Sequence, residues 1–197
     1  MITSPPLILA SASPRRDRVL RSLGADFEVK PSQIEEQMHP KLSPPELVML
    51  NARRKAEAVA GECSAGLVIG ADTAVFIDHH ILGKPADFDD ALRMLGILNG
   101  RTHQVYTGLA IIDAASSRLE QSFSKTDVTF RQLGRDELIT YARRINPLDK
   151  AGAYAIQGLG SLIVERVDGC YYNVVGLPVV VLDELLKRFG VFLLHTD

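Results

Sequence analysis

The sequence predicts an α/β protein with a mixed, twisted sheet flanked by helices and arranged as two lobes around a cleft. Short apolar runs alternate with helical stretches early in the chain, which is typical of strands joined by helices. Two longer strand-like segments separated by a polar turn follow, and they indicate an antiparallel hairpin. The chain has 197 residues, of which 46% are hydrophobic, and no repeat or low-complexity linker. We therefore expect one domain over residues 1–197.

The first elements are a strand over residues 7–11 and a helix over residues 14–23. Ser13 is of a type that caps helices, and Pro14 suits the first helical position. Gly24 provides the stop, because glycine readily adopts the left-handed conformation that follows many helices. The start and end of this helix are therefore both predicted from single residues.

The same helix start combines two hydroxyl groups with two guanidinium groups. Ser11, Arg15 and Arg16 stand within or just before its first turn. A helix N-terminus attracts anions through its dipole and its unpaired N–H groups, and arginine binds phosphate oxygens in pairs. This segment therefore predicts a site for a triphosphate or a pyrophosphate.

A second helix is predicted from Ser43 to about Ala60, after a short strand over residues 27–30 and a polar segment over residues 31–42. Ser43 and Glu46 have the spacing of a capping box, with proline at the first helical position. The boundary of this helix is therefore well defined at its start.

Lys55 lies on the apolar face of this second helix. At about 100° per residue it projects close to Val48 and Val59, whereas Arg53 and Arg54 project toward solvent. A lysine in that position needs an anionic partner or must extend its ammonium group to water. Helix geometry alone leaves phosphate binding and extension to solvent both open.

Three carboxylates are candidates for metal binding or proton transfer. Asp72 follows the buried apolar run at residues 67–71, and ligand sites in open α/β sheets lie beyond the carboxyl ends of strands. Asp72 is thus a candidate metal ligand or general base, with a turn or cap residue as the alternative. Glu35 and Glu36 lie in the polar segment, where they are either ligands of a metal such as Mg²⁺ or simply solvated loop charges.

The remaining elements are predicted from apolar periodicity, capping residues and turn residues. They are strands over 74–77 and 80–82, a helix capped by Asp87 that ends at Leu98, strands over 103–113 and 122–133, a helix over 136–144, a strand over 162–167 and a helix over 178–189.

Two further segments are weaker candidates for ligand binding. Lys84 lies in a Gly-Lys-Pro sequence without the spacing of a P-loop, and Gln157 lies in a loop of small residues that a ligand could approach closely. The adjacent pair His79 and His80 is interpreted as an exposed turn, because neighbouring residues do not converge on one side of a strand. His195 stands without zinc-type spacing.

The bulk composition excludes several classes of protein. The net charge of −2 argues against nucleic-acid binding, and no apolar stretch is long enough to cross a membrane. The segment at residues 1–6 lacks the basic region of a signal peptide. Cys63 and Cys170 are therefore expected to be reduced thiols, and the protein is expected to be cytoplasmic.

Taken together, the motifs resemble the Maf family of nucleoside triphosphate pyrophosphatases, which is related in fold to the inosine triphosphatases. The resemblance covers nearly the whole chain. Its motifs are S-x-S-P-R-R from Ser11, I-E-E from Ile34, A-x-x-K-A from Ala52, G-A-D-T from Gly70, G-K-P from Gly83, G-R-T-H-x-V-x-T-G from Gly100, D-K-A-G-A-Y-x-I-Q-G from Asp149 and V-G-L-P from Val175.

The resemblance implies hydrolysis between the α- and β-phosphates of a nucleoside triphosphate, with a divalent metal cation, Mg²⁺ or Mn²⁺, as cofactor. Asp72 matches the catalytic proton acceptor, and Glu36 matches a carboxylate of the metal site. The residues that match phosphate-binding positions are Ser11, Arg16, Lys55 and Lys84, and the two lysines are assigned with Asp72 to the catalytic set. The residues that match positions linked to base specificity are Arg15, Thr73 and Gln157. The family tendency implies a homodimer.

The Ile-Gln-Gly sequence that contains Gln157 resembles the branch acting on dTTP and UTP, and the branch acting on 7-methyl-GTP is the alternative. A different alternative is a nucleotide-binding regulator of cell division and septum formation in which hydrolysis is incidental. The intact carboxylates at Asp72 and Glu36 favour a working enzyme.

Overall fold

The computed structural model describes residues 5–37, 39 and 41–194. Residues 1–4, which form part of the segment used to judge export, lie outside this range, and so does His195. Within it, no helix is long and apolar enough to cross a membrane. Cys63 and Cys170 are both free thiols, and both are half-buried.

Strands and helices follow one another along the described chain. The strands are β1 (Leu7–Leu9), β2 (Phe27–Val29), β3 (Leu67–Ile77), β4 (His80–Leu82), β5 (Thr102–Asp113), β6 (Leu119–Phe130) and β7 (Val164–Gly169). The helices are α1 (Pro14–Ser22), α2 (Pro44–Ala60), α3 (Phe88–Leu98), α4 (Arg135–Arg144), α5 (Tyr171–Val175) and α6 (Val179–Lys187). Short 3₁₀ helices cover Pro147–Asp149, Ala151–Ala153 and Gly158–Leu162.

The strands of the described residues form one mixed sheet in the order β2-β1-β3-β5-β6-β7, with β4 paired to β3. Strand β1 is parallel to both β2 and β3, whereas β4 is antiparallel to β3 and β7 is antiparallel to β6. The predicted mixed sheet with flanking helices is therefore confirmed.

The chain divides into two compact units. The first unit contains the residues up to Asp72, Thr107–Ser124 and the residues from Gly176 onward, and the second contains Thr73–Tyr106 and Lys125–Val175. Each unit has its own apolar core. In the first, residues of β1, β3 and β5 pack against Ala52 and Ala56 of α2. In the second, α3 and α4 pack against the strands.

The largest difference from the predicted elements concerns β3. The sequence predicts that this strand ends before Asp72, but β3 continues to Ile77 and Asp72 lies near its middle. A charged residue usually interrupts a buried strand because its desolvation is costly. Here the strand continues, because the Asp72 carboxylate has charged and polar partners inside the protein.

Smaller differences occur where local turns set the boundaries. Strand β6 begins at Leu119, three residues earlier than predicted, because the turn after β5 is tight: Asp113 N–H donates to Arg118 O, and Ser117 has a φ of 59°. Strand β7 begins at Val164 instead of residue 162, since a 3₁₀ helix occupies the preceding positions. Helix α5 has no signal in the periodicity of the sequence.

The predicted caps are confirmed for α2 and α3 but not for α1. Ser43 N–H donates to Glu46 Oε2 at 2.8 Å, and Asp90 N–H donates to Asp87 Oδ1 at the same distance. Ser13 occupies the N-cap position of α1, but its side chain makes no cap hydrogen bond. Its backbone N–H instead donates to Ser11 Oγ.

Two glycines allow α2 to lie directly on the sheet within the first unit. A β-carbon on Gly70 of β3 would be 2.1 Å from Ala52 O, and one on Gly108 of β5 would be 2.4 Å from the carbonyl carbon of Val48. These are contacts with the helix backbone, which cannot move as a side-chain end can. The glycines of the G-A-D-T and T-G motifs therefore set the distance between α2 and the strands.

His103 is fully buried in the second unit. Its Nε2 lies 2.9 Å from the Tyr154 hydroxyl, and its ring packs edge-to-face against Phe130 and Tyr154. Its Nδ1 has no hydrogen-bond partner among the described residues. Burial lowers the pKa of His103 from 6.5 to about 3, so the ring is neutral in the folded protein at neutral pH.

This buried histidine should make the protein less stable in mild acid. The unfolded chain binds a proton as the pH falls below 6.5, whereas the folded chain does so only near pH 3. The free energy of unfolding is therefore unaffected by this histidine well above pH 6.5, and it falls by about 2 kcal/mol by pH 5. Urea unfolding at a series of pH values should show a shallower pH dependence for His103→Gln than for the wild type. The exposed His80→Gln is the control, and an equal slope in all three proteins would contradict the assignment.

Candidate active site

The arginine-rich start of α1 is anchored to a distant part of the chain. Arg16 is buried, and its Nε donates to Gly176 O at 2.7 Å while its Nη1 donates to Ser11 Oγ at 3.1 Å. Burial lowers the pKa of this guanidinium, and the charges of Asp72 and Glu36 oppose that effect. An arginine nevertheless stays protonated, so Arg16 is a fixed positive charge in the first unit. Arg15 is half-buried in the first turn of the helix.

Lys55 connects two carboxylates in the first unit. Its Nζ donates to Asp72 Oδ1 at 2.6 Å and to Glu36 Oε1 at 2.8 Å. Lys55 is 8% exposed, so its ammonium group is satisfied inside the protein and does not extend to solvent. In this structure the anionic partners of Lys55 are therefore two of the protein's own carboxylates, Asp72 and Glu36.

Asp72 is 4% exposed, and its protonation depends on competing effects. Burial raises the pKa of its carboxyl group, the Lys55 ammonium lowers it, and the negative charge of Glu36 raises it again. The net direction is upward, because removal from water is the largest of these effects. A carboxylate whose pKa is raised accepts a proton more readily than an exposed one, which suits a general base.

Asn51 of α2 also binds Asp72, although no sequence motif predicted a role for it. Its Nδ2 donates to Asp72 Oδ2 at 3.1 Å and to Gln37 O at 3.0 Å, and its Oδ1 accepts from Gln37 N–H at 3.0 Å. The available signal was its position four residues before Lys55, which places both on one helix face.

The segment that carries Glu36 has no regular secondary structure, and α2 holds it at successive residues. Besides the contacts of Asn51 and Lys55, Arg54 Nη1 donates to Glu35 O at 3.2 Å. Arg54, which the helical wheel places in solvent, is thus half-buried against this segment. Glu35 contributes its backbone carbonyl here, and Glu36 contributes its carboxylate.

The donor set around Lys55 is compatible with a hard divalent cation. One oxygen of Glu36 and one of Asp72 both lie within 2.8 Å of the same ammonium nitrogen, so the two carboxylates converge on one place. Mg²⁺ is often bound by one or two carboxylates together with water and substrate phosphates. Within the described residues, no group of three or more histidine, cysteine or acidic side chains could hold a metal alone.

The other predicted site residues belong to the second unit. Thr73 is half-buried on β3. Lys84 is exposed in the loop after β4, where Gly83 O accepts from Gly152 N–H at 3.0 Å. Gln157 is exposed at the start of a 3₁₀ helix, and its backbone O accepts from Gly160 N–H.

The turn at His79 is confirmed, with φ of 47° at Asp78 and 65° at His79.

Comparison with known proteins gives a consistent result. The Maf-like protein family matches residues 6–189. The chain is 46% identical to the dTTP/UTP pyrophosphatase of Desulforamulus reducens, over 94% of this chain and 97% of that protein. It is 47% identical to the dTTP/UTP pyrophosphatase of Caldicellulosiruptor bescii, over 93% and 94% of the two chains. It is 48% identical to that of Gloeobacter violaceus, over 93% and 95%. The chain therefore belongs to the Maf-like protein family.

Proposed function

We propose that this protein is a nucleoside triphosphate pyrophosphatase that hydrolyses dTTP and UTP. The products are the nucleoside monophosphate and inorganic diphosphate. The observation that carries the proposal is the buried Asp72 carboxylate, held between Lys55 and Asn51 with Glu36 alongside. The names of the relatives support the reaction and the substrates, since their similarity extends over nearly the full length of both chains.

In the proposed reaction Asp72 accepts a proton from the attacking water. Burial raises the pKa of its carboxyl group, so it accepts a proton more readily than an exposed carboxylate does, and its fixed orientation favours one position for the water. As the bond between the α- and β-phosphates breaks, negative charge accumulates on the leaving diphosphate. Positive groups placed in advance stabilise that charge, and we assign this role to Lys55, Lys84 and Arg16.

We assign the remaining predicted residues to substrate binding. Ser11 would bind phosphate together with Arg16, which it contacts. Base recognition is assigned to Arg15, Thr73 and Gln157. Their guanidinium, hydroxyl and amide groups, respectively, can form hydrogen bonds with the polar edge of a pyrimidine. We also propose that residues 1–197 act as one functional domain.

We further propose that Mg²⁺ or Mn²⁺ is the cofactor and that Glu36 and Asp72 hold it. The bound cation would neutralise phosphate charge and favour ionisation of a coordinated water. The carboxylates of Glu36 and Asp72 are hard oxygen donors and converge near Lys55, which supports this assignment. We also propose that the protein acts as a homodimer in the cytoplasm, where nucleoside triphosphates are abundant.

Purified protein incubated with Mg²⁺ and a panel of nucleoside triphosphates tests the function. We expect diphosphate release from dTTP and UTP in preference to purine triphosphates, measured by a coupled diphosphate assay. Preferential cleavage of 7-methyl-GTP would overturn the substrate assignment. Tight binding of a triphosphate without release of diphosphate would overturn the enzymatic role and favour a regulator.

A further inference from the structure

Three residues on one face of α2 hold three consecutive residues of the segment that carries Glu36. Arg54 and Lys55 follow Asn51 by three and four residues, so they flank Asn51 on the helix surface, one on each side. They bind Gln37, Glu35 and Glu36 respectively. The helix therefore supplies the order that this segment lacks by itself.

The Asn51 amide has a single possible orientation in this arrangement. Its Oδ1 accepts from Gln37 N–H, and its Nδ2 donates both of its hydrogens, to Gln37 O and to Asp72 Oδ2. A flipped amide would place Nδ2 against the Gln37 N–H and Oδ1 against two oxygen acceptors. Asn51 is 2% exposed, so water cannot replace a lost partner cheaply.

The same amide also completes the fixation of Asp72. Lys55 donates to Oδ1 of that carboxylate and Asn51 donates to Oδ2, so both oxygens are held and the carboxylate plane is set. Asn51 does this as a neutral hydrogen-bond donor.

We propose that Asn51 is a positioning residue, which fixes both the Asp72 carboxylate and the segment bearing Glu36 in the arrangement required for hydrolysis. The inference rests on the proposed function for its catalytic consequence. Outer partners that orient catalytic or metal-binding groups typically contribute about 10–100-fold to activity. Asn51 does not need to touch the substrate to have such an effect.

The test compares Asn51→Leu, which keeps the branched shape of the side chain but has no hydrogen-bonding group, with Asn51→Ala. Arg53→Ala is the matched control, because Arg53 is exposed on the same helix and pairs across the surface with Glu57. Steady-state kinetics with dTTP should show kcat reduced about 10–100-fold in both Asn51 variants, with KM changed less than about threefold. The control should stay close to the wild type.

A second measurement uses the ligand-free protein and does not depend on catalytic activity. Hydrogen exchange followed by NMR should show the Gln37 amide exchanging about tenfold faster or more in the Asn51 variants, since its acceptor is gone. The amide of Ile69, in the core of β3, should keep its protection. This comparison separates loss of local positioning from general loss of stability.

The possible outcomes are distinct. An unchanged kcat in Asn51→Leu overturns the proposal. Equal acceleration of exchange at Gln37 and Ile69 also overturns it, because the effect would then be general unfolding. If the wild-type protein releases diphosphate from no triphosphate, the proposed function fails separately, and the exchange at Gln37 still decides whether Asn51 holds the segment.

Discussion

Replacing Asp72 with asparagine is expected to lower kcat for dTTP hydrolysis about 10³-fold while the protein remains folded. The substitution keeps the size of the side chain but removes the group that accepts the proton from water. An asparagine also offers one acceptor where the carboxylate offers two, so either Lys55 or Asn51 loses its partner. We therefore expect the free energy of unfolding to fall by about 1–3 kcal/mol. Initial rates of diphosphate release and urea unfolding measure the two effects.

The matched control for this substitution is Asp168→Asn. Asp168 is an exposed carboxylate on β7 that pairs with the exposed Arg166. Surface pairs of this kind contribute little to stability, so kcat and the unfolding curve should both remain near those of the wild type. Normal turnover by Asp72→Asn would be incompatible with the proposed proton transfer.

Replacing Gly70 with alanine should produce a large loss of stability. The new β-carbon would lie 2.1 Å from Ala52 O and 2.9 Å from the β-carbon of Ala56, so either α2 or β3 must move. Overpacking that displaces backbone is expected to lower the free energy of unfolding by about 3 kcal/mol. Because α2 carries Lys55 and Asn51 and β3 carries Asp72, the same displacement should also lower kcat. Urea unfolding and steady-state kinetics test both expectations.

Gly96→Ala provides the opposite result in a chemically identical substitution. Gly96 lies in the interior of α3, and a β-carbon there would meet no atom beyond the neighbouring backbone of its own helix within 4 Å. Alanine favours helix over glycine by about 0.5–1 kcal/mol, so this variant should be slightly more stable than the wild type. If Gly70→Ala were as stable as Gly96→Ala, the close contact between α2 and β3 could not be structurally limiting.

The sequence predicted most of the elements, because their boundaries depend on local chemistry. The capping pairs at Ser43 and Asp87 act within one helical turn, so their effect can be recognised without the rest of the fold. The end of β3 could not be recognised in this way. Asp72 resembles a strand terminator until Lys55 and Asn51, which are distant in sequence, are known to neutralise and bind it.

The candidate site was predictable to the extent that it is encoded in motifs. Lys55 was identified as a lysine in need of a partner, but its helix does not indicate which carboxylate it meets. Glu36 lies in a segment without periodicity, and its position is set by contacts from α2. Asn51 has no charge and lies among apolar residues of its helix, so neither charge nor periodicity distinguishes it from a residue of the core.

The hydrogen bond from Arg16 Nε to Gly176 O joins residues 160 positions apart. It has a consequence for the biosynthesis of the protein. While the ribosome is still translating the residues before Gly176, Arg16 and Ser11 are already outside the exit tunnel, but the carbonyl that orients the guanidinium is not yet made. The nascent chain therefore lacks the backbone acceptor that holds Arg16 until residue 176 has been synthesised. We therefore expect nascent chains shorter than 176 residues to lack the phosphate-binding arrangement that we propose for Arg16.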